Sequence, residues 1–147
     1  METQDDVVSQ LLDDHRRAES LYHQCSAGED VDTQKEALDD LVKELTLHAE
    51  IEEQLVYPAM RTTLPDGDQI VDHALEEHQD VKAKLAKLKG SDPSDDEVAS
   101  DIRDMMALVN GHVTEEEQLL AEFKDMYGPI ALSELTEESK KLRDAKS

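Results

Sequence analysis

The sequence predicts an all-α chain, an up-down-up-down four-helix bundle with a short extra helix at its C-terminal end. Three observations predict it. Apolar residues recur three and four apart along almost the whole chain, with no strand-like alternation. Turn chemistry interrupts that period at three points, and the linkers are about five to seven residues, a length that joins antiparallel neighbours. The chain has 147 residues, 37% hydrophobic and 35% charged, enough for one small but strongly patterned core.

The first helix is expected over 5–25, with Val8, Leu11, Leu12, His15, Ala18 and Tyr22 on its inward stripe. SAGED at 26–30 ends it, with Gly28 able to take the left-handed C-terminal conformation. The second starts near Thr33, where Thr33 and Glu36 form a capping box, and runs to about 62. Its stripe is Leu38, Leu41, Val42, Leu45, His48, Glu52, Leu55, Val56 and Ala59. Pro65-Asp66-Gly67 is a turn. The third covers 68–89 through Val71, Ala74, His78, Val81, Leu85 and Leu88, and Gly90 to Pro93 stop it. The fourth opens with a Ser94–Glu97 capping box and runs to 127 through Ile102, Met105, Val109, His112, Glu116, Leu119 and Phe123. Gly128-Pro129 breaks the chain, and Leu132, Leu135 and Leu142 mark the short last helix. Residues 1–127 are therefore expected to form the bundle, and 128–147 a helix and tail packed on it.

Composition excludes several function classes. Against 15 Lys plus Arg stand 37 Asp plus Glu, a formal net charge of −22, which repels phosphate backbones and anionic membranes. Neither nucleic acid nor membrane is expected as a partner. Cys25 is the single cysteine, which rules out an internal disulfide and suits a reducing compartment. The start METQDDVVSQ lacks a basic and an apolar signal region, and no run approaches ~18 apolar residues. A cytoplasmic chain, monomeric or weakly dimeric, is the expectation.

The inward stripes carry polar side chains where leucine belongs. His15, His48, His78 and His112 each lie near the middle of their helix, so an antiparallel bundle brings them to one layer. Glu52 and Glu116 follow His48 and His112 by four residues and sit one turn along on the same side. No Lys or Arg lies on the stripes nearby; Arg16 and Arg17 point off them. Burying carboxylates and imidazoles without counter-charge costs several kcal/mol per ion, and bound cations turn that cost into folding free energy.

A weak internal repeat sharpens the assignment. HAEIEEQL at 48–55 is echoed by HVTEEEQL at 112–119, and Asp13-Asp14-His15 by Glu76-Glu77-His78. A pseudo-twofold bundle would put His15 and His48 on one cation and His78 and His112 on the other, with Glu52 and Glu116 bridging. Without thiolates, imidazole and carboxylate suit Fe, Mn or Zn, and a carboxylate-bridged pair with open positions reads better as iron than as manganese or closed zinc. The expected cofactor is two Fe ions with an oxo or hydroxo bridge.

Four segments in this order, DDHRRAESL, LHAEIEEQLVYP, ALEEHQDVKAKL and GHVTEEEQLL, make the chain resemble hemerythrin-like proteins of the HHE cation-binding family. The resemblance implies a four-helix bundle around a non-haem di-iron centre that binds dioxygen or reacts with its reduced products. Oxygen-carrying hemerythrins have a second third-helix histidine four residues before the first, and a His-x-x-x-x-Asp on the last helix. Here the residue four before His78 is Ala74, and the last pair is His112-x-x-x-Glu116. His73 is five before His78, about 140° away around an ideal helix. It enters the candidate ligand set through a bulge or distorted first turn.

The candidate metal ligands are thus His15, His48, Glu52, His73, His78, His112 and Glu116. His23 reads as a flank residue. Glu53, Glu76, Glu77, Glu115 and Glu117 read as a solvated acidic face, with Glu77 a distant ligand candidate if His73 is not one. Tyr22 and Tyr57 read as packing residues, with a phenol near the metals as the minority alternative. An apolar pocket of Val8, Leu12, Leu55 and Leu119 would admit O2, peroxide or NO. Three readings stay open: a peroxide-decomposing or oxidase-type catalyst, a module that stores or senses O2, NO or iron, and a bundle that uses its metal only for stability.

Overall fold

The structure is a computed structural model that describes residues 6–27 and 30–146. Its helices are α1 (Val7–Ala27), α2 (Val31–Ile51), α3 (Tyr57–Thr63), α4 (Gly67–Leu88), α5 (Asp96–Tyr127) and α6 (Pro129–Lys146). A π-helical turn, Glu52–Val56, joins α2 to α3 without a break in the rod. The bundle therefore consists of α1, the composite α2–α3 rod, α4 and α5. Among the described residues there is no strand, and no helix is long and apolar enough to cross a membrane.

Local chemistry sets the helix starts. Asp6 Oδ1 accepts the Ser9 amide at 2.8 Å and opens α1. α2 begins two residues before Thr33, because Asp30 Oδ1 accepts the Thr33 amide at 2.8 Å. α5 begins after Asp95, whose carboxylate takes the Glu97 and Val98 amides. In both places an ionised Asp, a stronger acceptor than a hydroxyl, replaces the expected Thr or Ser cap. The Gly28 cap lies outside the described residues.

Between α3 and α4 the chain turns tightly. A Cβ at Gly67 would come within 2.5 Å of the Met60 carbonyl oxygen and 2.6 Å of the Arg61 one. A single residue separates α5 from α6. Gly128, at φ 90° and ψ 155°, takes a conformation open essentially only to glycine, and Pro129 follows at the first position of α6. The last helix is longer than expected, at 18 residues. It buries Leu132 and Leu135 against the open end of the bundle.

The core is split in two. Val7, Val8, Leu11, Ile51, Val56, Met60, Val71, Leu120 and Phe123 pack toward the α6 end. Ala18, Cys25, Leu38, Leu41, Leu85, Leu88, Ile102 and Met105 pack toward the other. Every bundle helix contributes to both clusters, and in each the expected histidine falls between its two contributions. A polar layer separates two greasy halves.

Candidate metal centre

His15, His48, His78, His112, Glu52 and Glu116 meet in that layer. Their ligating atoms form two overlapping groups, one of Glu52, His78, His112 and Glu116, the other of His15, His48 and Glu116. Glu52 is fully buried. Its Oε2 lies 3.3 Å from His48 Nε2, and its Oε1 lies 3.1 Å from His78 Nε2. Glu116 repeats the pattern: Oε1 stands 3.8 Å from both His15 Nε2 and His48 Nε2, while Oε2 contacts His112 Nε2. Each carboxylate therefore spans the two imidazole pairs, as the repeat predicts.

The outer nitrogens explain how the inner ones are aimed. His48 Nδ1 meets Asp14 Oδ2 at 3.1 Å, His112 Nδ1 meets Glu77 Oε1 at 2.7 Å, His78 Nδ1 meets Glu53 Oε2 at 2.8 Å, and His15 Nδ1 meets Glu117 Oε2 at 3.2 Å. A carboxylate can only accept, so each Nδ1 donates, and in a neutral ring the lone pair is left on Nε2, facing inward. The four acceptors obey the same pseudo-twofold as the ligands. Asp14 and Glu77 directly precede His15 and His78; Glu53 and Glu117 directly follow Glu52 and Glu116. From the sequence alone Glu53, Glu77 and Glu117 read as a solvated acidic face, and Asp14 has no site role there. The repeat already carried the signal, because the doubled acids beside each ligand recur in both halves.

This layer is short of positive charge. His15 Nε2 and His48 Nε2 approach to 3.2 Å, an arrangement two lone pairs cannot share without a proton or cation between them. Among the described residues, buried Glu52 Oε2 and Glu116 Oε1 lack a well-formed hydrogen bond, their nearest possible donors being imidazole nitrogens at 3.3 and 3.8 Å. The nearest basic side chains reach only the outer carboxylates: Arg143 and Arg17 hold Asp14, and Lys82 holds Glu53. Burial works to lower the His48 pKa, but the Glu52 charge and the bonds to Asp14 and Glu52 outweigh it and push it up to about 10. Burial would raise the Glu52 pKa, yet the His48 charge and the His48 and His78 bonds hold it well below the usual carboxylate range. Burial and the His48 charge lower His15. A proton on His48 thus does part of the work this donor set offers to a metal. Four imidazole nitrogens and four carboxylate oxygens, two of them without a well-formed hydrogen bond, fit a pair of divalent or trivalent cations.

His73 is not in this layer. Its side chain is 63% exposed and pairs with Glu77 at 3.6 Å. α4 is regular α-helix from its first turn, so the 140° offset from His78 stands and no bulge swings the ring inward. It forms a separate surface group with Glu77 and Glu115. His23 is an exposed flank residue near Glu19.

Tyr57, which reads from the sequence as a packing residue, also enters the layer. Pro58 has no amide to donate to the Gln54 carbonyl, and the Tyr57 amide closes instead on Glu52, five residues back. The π-turn shifts the register by one. Tyr57 and Met60 become the buried positions, while Leu55 and Ala59, expected inside, are only partly buried. The phenol reaches the middle of the layer. The Leu-Val-Tyr-Pro run after a ligand pair was the available signal. Access differs from expectation too: Val8 is in the core, and a cleft of about 280 Å³ reaches Tyr57, His112 and Glu116 between Ile70, Val71 and Leu119.

A helical bundle with a His/carboxylate layer of this kind defines a cation-binding domain. The chain belongs to the hemerythrin HHE cation-binding domain family, whose pattern matches residues 6–123. A DNA nickase of Nostoc sp. (strain PCC 7120) is 30% identical over 107 residues, covering 73% of this chain and 30% of the relative. An uncharacterized hemerythrin-like protein of Schizosaccharomyces pombe is 29% identical over 113 residues, covering 76% and 56%. The chain thus spans well under two thirds of either relative. Among solved structures, a hemerythrin HHE cation-binding domain-containing protein from Mycobacterium kansasii, described as an Rv2633c homolog, shares the fold. Its TM-score is 0.76 at 23% identity, over 96% of this chain and 87% of that one.

Proposed function

We propose that the layer holds two iron ions and that the protein binds dioxygen or its reduced products, decomposing hydrogen peroxide as its activity. One observation carries this reading. The two imidazole pairs, each backed by Nδ1 carboxylates, point their Nε2 atoms toward one another, and Glu52 and Glu116 each reach both pairs. Each pair would hold one ion. Four such donor atoms per ion leave coordination positions for an exogenous molecule, which favours iron over a closed zinc site. When bound, iron supplies the electron exchange that converts two peroxide molecules to two waters and one O2.

The chain's own residues set the conditions for that chemistry. Asp14, Glu53, Glu77 and Glu117 fix the imidazole tautomers and raise their basicity. The two apolar clusters exclude bulk water above and below, and the Leu119 side of the cleft admits small neutral molecules. The nicking of DNA named for the Nostoc relative is not proposed for this chain, whose net charge of −22 opposes a phosphate backbone.

The test is iron-loaded protein mixed with peroxide in an oxygen electrode. Steady O2 evolution, lost in His112→Ala protein that retains its helicity, is expected. An iron-loaded sample that neither evolves O2 nor changes its visible spectrum with peroxide or azide would leave cation binding standing and remove the peroxide reading.

A further inference from the structure

We propose that His73, Glu77 and Glu115 form a third cation site at the mouth of the cleft between α4 and α5, through which divalent cations reach the layer. The inference rests on the proposed filling of the layer by metal ions, and it adds a site outside that layer. One ligand atom from each of the three residues lies within 4.8 Å of the other two. His73 Nε2 and Glu77 Oε2 are 3.6 Å apart. Donors about 2.1 Å from one ion stand roughly 3–4 Å from each other, so small rotations of these exposed and half-buried side chains bring all three onto it. His73-x-x-x-Glu77 repeats on α4 the spacing of His48-x-x-x-Glu52 and His112-x-x-x-Glu116. In a regular helix that spacing puts both side chains on one face. Imidazole with two carboxylates suits Mn(II), Fe(II) or Zn(II) better than Mg(II) or Ca(II).

Position makes the site an entrance. The cleft of about 280 Å³ is lined by His73, Glu77 and Glu115 and also by His112 and Glu116 of the layer. Glu77 spans the two groups: its Oε1 meets His112 Nδ1 at 2.7 Å, while its Oε2 faces His73. Further in, the Glu116 side chain is 3% exposed, and its Oε1 lacks a well-formed hydrogen bond within the protein. An ion moving inward therefore passes from one carboxylate to the next. Glu122 adds negative charge to the cleft, and no Lys or Arg is among the described residues that line it. Elsewhere the surface is different. A depression over His15 is lined by Arg16, and a groove along α2 carries Arg17, Lys43, Lys82, Lys89 and Lys146. A cleft lined by one sign of charge focuses the field and raises on-rates about 10- to 1000-fold. Three exposed or half-buried donors hold an ion weakly and release it, whereas the larger, buried donor set of the layer retains it.

The test compares His73→Ala with Glu115→Gln, which leaves Glu77 on His112, against a charge-matched control, His23→Ala with Glu19→Gln. His23 and Glu19 are the other exposed His/Glu pair, 3.3 Å apart, and Glu19 lines the depression over His15. Stripped protein is mixed with Co(II) in a stopped-flow instrument, and the visible absorbance of the bound ion gives the rate at which the layer fills. The His73/Glu115 variant should fill at least about tenfold more slowly than the unaltered chain and still reach two ions after dialysis. The control should fill at the unaltered rate. In unaltered protein already dialysed against Zn(II), added Mn(II) should broaden the His73 ring resonances at lower concentration than those of His23. Equal filling rates for the two variants, or equal broadening of His73 and His23, would overturn the entry site and leave the two-ion layer standing. No Co(II) retained by any of the three proteins would overturn both.

Discussion

Asp14 Oδ2 accepts the Nδ1 proton of His48 at 3.1 Å, and the same carboxylate is held by Arg143 of the last helix at 2.7 Å. A residue next to one candidate ligand thus orients another ligand on a different helix, and the C-terminal segment reaches the centre through it. Asp14→Asn keeps the shape but removes the charge that makes His48 a strong donor. Apparent cation affinity should fall about 10- to 100-fold, read by competition with a chromogenic chelator. Unchanged affinity would show that Asp14 serves packing alone.

Glu116 is expected to be the harder loss. Its two oxygens face different imidazole pairs, and an amide offers only one acceptor oxygen. Glu116→Gln should bind fewer than two cations per chain at concentrations that saturate the unaltered protein, by dialysis and elemental analysis. Two tightly bound ions would contradict the bridging geometry.

Opposite pH slopes should distinguish the metal-free and metal-loaded protein. The lowered pKa of Asp14 and Glu52 contributes stability above their ordinary values near 4 that is lost as pH falls through the folded values. His48 is raised from 6.5 to about 10, so its contribution is complete below 6.5 and is lost as pH rises toward 10. Metal-free protein should therefore lose stability over that upper window. Cation affinity should rise over the same window, because protons leave the competition for Nε2. Parallel slopes in denaturant melts with and without metal would contradict the assignment.

The α3–α4 turn offers a control outside the centre. Gly67→Ala drives a methyl into two backbone carbonyls and should cost about 1–3 kcal/mol in chemical denaturation. Cation stoichiometry should stay unchanged. A neutral substitution would mean that the turn relaxes freely.

Much of this was legible in the chain itself. The three-and-four spacing fixed four rods, and the His and His-x-x-x-Glu positions fixed a common layer, because both depend only on helix period and antiparallel order. What escaped depended on local competition or on partners distant in sequence. Asp30 and Asp95 outcompeted hydroxyl caps one to three residues away. Pro58 forced a π-turn that no fixed period can represent, and so Tyr57 reads as packing until the register is seen. Glu53, Glu77 and Glu117 look like solvent-facing acids on their own helices; only the neighbouring helix shows which imidazole each one holds. The short C-terminal helix proved long because its polar face is satisfied by solvent and by Asp14, leaving only a few leucines as a signal.

Metal content is the most direct test of the central claim that this layer exists to hold cations. Protein stripped with chelator, reloaded with Fe(II) under argon and dialysed should retain two ions per chain. It should also melt well above the stripped form, since a ligand at 100 times its Kd adds about 2.7 kcal/mol. Less than one retained ion, with coincident melting curves for stripped and reloaded protein, would contradict the account.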